Sequence, residues 1–66
     1  MHIRLNGEPF EIQAPLTISA LLADLAIDSR RVAVEHNTYV VKRDRYETTT
    51  VEEGDEVEIV NFVGGG

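Results

Sequence analysis

The sequence predicts an α+β roll: a mixed sheet of about five strands, one main helix and a flexible C-terminal glycine tail. Three observations carry this expectation. Apolar residues alternate with polar ones near both ends, a single stretch in between repeats every 3.6 residues, and three of the five glycines are residues 64–66. The expected organisation is one domain over residues 1–63 and a tail over 64–66.

Ile3 and Leu5 alternate with His2, Arg4 and Asn6, and beyond Asn6-Gly7-Glu8 the alternation resumes with Phe10, Ile12 and Ala14. Asn-Gly between two such runs predicts a tight hairpin, because both residues tolerate the positive φ the turn requires. After Pro15 the period lengthens: Ile18, Leu21, Leu22 and Leu25 fall at i, i+3, i+4 and i+7 of one amphipathic helix. Thr17 is placed to cap it, and Leu16 before the cap can staple onto Leu21. No glycine stops the helix, so its end is expected near Ala26. Val32, Val34 and His36 form a third strand, Asn37-Thr38 a turn, and Tyr39-Val40-Val41 a short fourth strand. Residues 42–47 read as an exposed turn, and Glu53-Gly54-Asp55 as a turn launching a last strand from Glu56 to Val63. A hairpin, one covering helix and a returning C-terminal strand fit a β-grasp topology.

Composition narrows the function. A chain of 66 residues buries only about 60% of the surface its unfolded form exposes, which disfavours a deep catalytic cleft. With no cysteine it can make neither a disulfide nor a thiolate nucleophile. No stretch approaches the roughly 18 apolar residues of a membrane span, and the N-terminus lacks the pattern of a signal peptide, so a whole, cytosolic chain is expected. The formal net charge is −6. Residues 1–34 set Arg4, Arg30 and Arg31 against Glu8, Glu11, Asp24 and Asp28, so most of the excess acid lies in the C-terminal half. Such a field repels nucleic acid and anionic lipid and favours a basic protein surface.

The last strand breaks its own pattern. If Val57 and Ile59 face the helix, continued alternation puts Val60 and Phe62 on the same face as Glu56 and Glu58. Exposing two large apolar side chains forgoes on the order of 2 kcal/mol of burial each. Two arrangements resolve this: a bulge near Val60 that turns them inward, or an outward display for a partner. Gly64-Gly65-Gly66 follows, without side chains to pack and with a high entropic cost of ordering. Extended, those residues reach roughly 10 Å beyond the fold and can enter a channel too narrow for any Cβ.

Several stretches resemble the thiamine-biosynthesis sulfur carrier family (ThiS), small ubiquitin-like proteins that end in Gly-Gly. They are Leu16-Thr17-Ile18 leading into Leu21-Leu22, Val32-Ala33-Val34-Glu35, Val40-Val41-Lys42-Arg43, and the specific run from Glu53-Gly54-Asp55 through Val60 to Phe62-Val63-Gly64-Gly65-Gly66. The chain departs from the family at Asn37-Thr38, where such carriers often have Asn-Gly. The resemblance implies a protein co-substrate rather than an enzyme. An adenylating enzyme of the ubiquitin-activating class transfers AMP from ATP to the Gly66 carboxylate, and sulfur drawn from cysteine by a desulfurase displaces AMP. The resulting covalent thiocarboxylate at Gly66 donates its sulfur to thiazole synthase. Gly65 and Gly64 give the tail access, while Phe62, Val60, Glu58 and Glu56 form the docking patch. No cofactor is bound by the carrier itself, which is expected to be monomeric when free.

Other chemistry is weakly represented. His2 and His36 lack the spacing of metal ligands and are expected at the surface or a strand edge; the acids from Glu52 to Glu58 lack an EF-hand pattern, and the terminal glycines are not a phosphate loop. The alternatives are a sulfur carrier for molybdopterin synthesis or tRNA thiolation, and a noncovalent β-grasp binding module.

Overall fold

The computed structural model describes residues 1–62. Val63, where the last strand was expected to end, and Gly64, Gly65 and Gly66 lie outside the described residues. Seven strands and one α-helix follow in the order β1 (His2–Leu5), β2 (Glu8–Glu11), β3 (Leu16–Thr17), α1 (Ile18–Asp24), β4 (Val32–His36), β5 (Tyr39–Val41), β6 (Thr50–Val51) and β7 (Glu56–Asn61). Short 3₁₀ turns occupy Ser29–Arg31 and Arg43–Arg45.

The main sheet has the order β2-β1-β7-β4-β5. Its two ends of sequence meet at the centre, where β1 runs parallel to β7, and every other neighbour in it is antiparallel. This is the expected mixed five-stranded β-grasp sheet. The Asn6-Gly7 turn joins β1 to β2 with φ of 52° and 83°, the left-handed conformation that such a dipeptide accepts at low cost. The second strand stops at Glu11 rather than reaching Ala14. Ile12 is still buried, held by a hydrogen bond from its N–H to the Met1 carbonyl, while Ala14 lies exposed just before Pro15.

The helix forms where the period changes. Thr17 Oγ1 accepts the Ala20 N–H at 3.0 Å, as a cap should, and Ile18, Leu21 and Leu22 pack into the sheet. Leu16 packs against the same core. The helix ends two residues before the expected Ala26, closing at Asp24 with Leu25 as cap. Ile27 N–H bonds the Leu22 carbonyl, Ala26 N–H bonds the Ala23 carbonyl, and Ala26 has φ of 57°. That is a Schellman stop with alanine in the position glycine usually holds, which is why the sequence carries no glycine signal.

The segment expected as an exposed turn over residues 42–47 contributes Tyr46 to the core. The Tyr46 and Thr49 carbonyls accept the Ser19 and Ile18 N–H groups, satisfying donors that the first helical turn cannot pair internally. Val51 then pairs with Leu16 in a two-stranded sheet of two-residue strands, too short to show any periodicity.

Candidate functional site

Strand β7 carries the chain toward its glycines, and its register decides which side chains travel with it. Pairing with β4 is unbroken from His36↔Val57 through Glu35↔Glu58, Val34↔Ile59 and Ala33↔Val60 to Val32↔Asn61. Phe62 N–H adds a further rung by donating to the Arg31 carbonyl at 2.9 Å. The strand contains no bulge, so alternation persists to its end. Val57 is buried and Ile59 packs against the core, while Val60 and Phe62 remain 58% and 52% exposed. The inward arrangement of Val60 and Phe62 is thereby excluded. A bulge would have broken a continuous ladder, each of whose bonds contributes about 1 kcal/mol.

The outer face of the sheet collects more than the last strand offers. Register places Ala33 beside Val60, Glu35 beside Glu58, and Val40 on the far side of Glu35. Val40 is 71% exposed, a larger fraction than either Val60 or Phe62. Glu35 and Glu58 are like charges directly opposite one another, an unfavourable cross-strand pair. No ion pair relieves them among the described residues. Glu56 lies opposite Arg4, whose guanidinium is turned to the Gly7 carbonyl at 2.7 Å. The face is thus an apolar strip bordered by uncompensated carboxylates. Glu35, Ala33 and Val40 were not part of the expected patch, because only the strand order brings β4 and β5 alongside β7.

Charge near Phe62 is of a different kind. Arg30 and Arg31 approach Asp28 at 3.0 and 3.7 Å. Hydrogen bonds from the Arg30 side chain and backbone hold the Asp28 carboxyl down at about 2. These cations therefore have an anion at hand, unlike Glu35 and Glu58.

A second group of polar residues braces the start of β7. Asp55 accepts from the Glu52 N–H at 2.9 Å and the Asn37 amide at 3.2 Å, and contacts His36 Nε2 at 2.8 Å. Asn37 in turn exchanges two 2.8 Å hydrogen bonds with the Glu56 backbone. Burial opposes ionisation of Asp55, but the bonds from His36, Glu52 and Asn37 together hold its carboxyl below the usual range. His36 is consequently a half-buried structural residue at the end of β4 rather than a free imidazole.

A ubiquitin-like β-grasp domain that displays an apolar, acid-bordered face along the strand leading to its glycines has the design of a protein carrier. The chain belongs to the ThiS family, whose model matches residues 3–66. The sulfur carrier protein ThiS of Bacillus subtilis (strain 168) is 35% identical over 65 residues, covering 97% of this chain and 98% of that protein. A crystal structure of the thiamine biosynthesis protein ThiS from Geobacter metallireducens superposes with a TM-score of 0.89 at 36% identity, covering all of both chains. A thiazole synthase of Paramagnetospirillum magneticum is 46% identical over 66 residues, which are 100% of this chain and 20% of that protein. The chain thus spans a fifth of the length of that relative.

Proposed function

We propose that this ThiS-family sulfur carrier is loaded with sulfur at the Gly66 carboxylate and delivers it to thiazole synthase for the thiazole of thiamine. The carrying observation is the regular outward register of β7, which runs exposed apolar side chains up to the Val63-Gly64-Gly65-Gly66 ending of the sequence. The similarity of the whole chain to a fifth of a protein named thiazole synthase supports that enzyme as acceptor.

A carboxylate resists nucleophiles. Transfer of AMP from ATP to Gly66, with release of pyrophosphate, makes a mixed anhydride with a good leaving group. A sulfur nucleophile drawn from cysteine by a desulfurase then forms the C–S bond as the C–OAMP bond breaks. If the sulfur arrives as a persulfide, a second thiol on the donor completes its release by taking the other sulfur into a disulfide. The product thiocarboxylate is a strong nucleophile at neutral pH. ATP belongs to the activating enzyme, and the carrier acts as a cytosolic, monomeric co-substrate with no catalytic side chain of its own. Gly65 and Gly64 let the tail pass into a narrow active site, and Val60, Phe62, Glu56 and Glu58 dock the fold against it. The described residues contain no helix long and apolar enough to cross a membrane.

Intact-protein mass after incubation with ATP, cysteine, the desulfurase and the adenylating enzyme tests this. The expected gain equals sulfur replacing oxygen, and adding thiazole synthase with its other substrates reverses it. Deleting Gly66 or replacing Gly65 with Trp abolishes the gain while thermal unfolding is unchanged. A chain lacking Gly66 that still acquires sulfur would falsify the assignment.

A further inference from the structure

On the β1 side, β7 is only half paired. Its odd-numbered residues present their backbone groups toward β1: Arg4 N–H donates to the Asp55 carbonyl and Asn6 N–H to the Val57 carbonyl, both at 2.9 Å. At the next rung β1 has already turned into the hairpin. The Ile59 N–H is taken at 2.7 Å by the side-chain oxygen of Asn6, which replaces a main-chain carbonyl that a longer β1 would have supplied. Beyond it the ladder stops. Among the described residues no group pairs with the Ile59 carbonyl or the Asn61 N–H on that side. The gap is a groove of about 270 Å³, walled by Leu5 and Asn6 on one side, Ile59 and Asn61 on the other, and floored by Leu25 and Ile27.

We propose that this open half-edge is a strand-addition site for an extended segment of thiazole synthase, the enzyme that, on the reading above, receives the tail. An acceptor and a donor two residues apart on one strand are complementary to extended backbone and to little else. The strand period sets the side chains of such a segment alternately inward, onto the apolar floor of Leu25 and Ile27, and outward, beside Glu58. An alternating apolar and basic sequence is the complement. A second copy of this chain is a poor occupant, because it would align two acidic outer faces of molecules that each carry a net charge of −6. The groove lies beside the residues immediately preceding the tail, so a strand docked there sets the direction in which the glycines enter the acceptor.

Asn61→Pro isolates the donor. It removes the Asn61 N–H, which makes no bond among the described residues, and proline is tolerated where a strand's N–H faces outward. Calorimetric binding to purified thiazole synthase should weaken roughly tenfold more for Asn61→Pro than for Asn61→Ala, which loses the same side chain from the groove wall but keeps the N–H. Equal affinity of a folded Asn61→Pro chain and the parent overturns the proposal. Hydrogen exchange at the Asn61 amide of the unaltered chain gives the same decision if the proline variant does not fold. Protection on adding thiazole synthase supports strand addition, and unchanged exchange refutes it. Protection that rises with carrier concentration alone assigns the edge to a second copy and refutes it as well. Loss of sulfur transfer by the unaltered chain would instead defeat the carrier assignment, so the two failures are separable.

Discussion

Thr38 stands in the Asn37-Thr38 turn with φ of 75°, a conformation that a β-branched residue adopts only under strain. The two-residue connection between β4 and β5 requires positive φ at both positions, so the geometry of Asn-Gly is kept although the glycine is absent. Thr38→Gly is expected to stabilise the fold by about 1 kcal/mol, and Ala26→Gly by a similar amount at the helix stop, read as a rise in the urea midpoint. Asp55 works in the opposite sense. Removing its carboxylate leaves the Glu52 N–H and the Asn37 amide without their acceptor and should cost about 2 kcal/mol at neutral pH. Because its folded pKa is depressed, this contribution is complete above the ordinary carboxylate value of about 4 and is lost as pH falls through the lower folded value. The stability difference between the parent and Asp55→Asn should therefore shrink below about pH 4 in parallel denaturant titrations.

At the scale of elements, β7 serves two requirements along one strand. Its inner residues Val57 and Ile59 pack with the core, and its outer residues Glu56, Glu58 and Val60 carry the display face. Phe62→Asp should leave the unfolding midpoint almost unchanged while weakening capture by the adenylating enzyme roughly tenfold or more, measured by equilibrium binding. A large stability loss would instead mark Phe62 as a core residue. The alternation of β7, the cap at Thr17 and the Asn-Gly hairpin are all legible in sequence, because each depends on neighbours within a few residues. The helix stop, β3 and β6 are not. A left-handed alanine has no residue signature, and two-residue strands exist only because Leu16 and Val51 meet across the core. Tyr46 escaped for a related reason, since a single aromatic within a charged run reads as surface until the loop folds back over the helix start.

For the whole molecule, the excess of acid is the complement of a basic surface. Glu35 and Glu58 face each other with no ion pair to relieve them among the described residues, in a chain of net charge −6, so a cationic partner would gain their attraction and remove their repulsion together. Association with the adenylating enzyme should slow as ionic strength rises, and Glu58→Gln should flatten that dependence while slightly stabilising the free carrier. Stopped-flow rates over a salt series measure both.

The sequence by itself determined the fold class, the order of the principal elements, the outward acids of β7 and the glycine ending, and its family resemblance pointed to sulfur carriage. Those properties are local or patterned, and periodicity, turn chemistry and motif record them directly. Tertiary structure decided the rest. Whether Val60 and Phe62 turn inward depended on an unbroken ladder with β4, and the companions Glu35 and Val40 depended on strand order. The open rung beside Ile59 and Asn61 depended on β1 ending at Leu5, opposite Val57, while β7 continues to Asn61. Each follows from hydrogen bonds between segments far apart in sequence, whose register is set only when the two ends of the chain meet at the centre of the sheet.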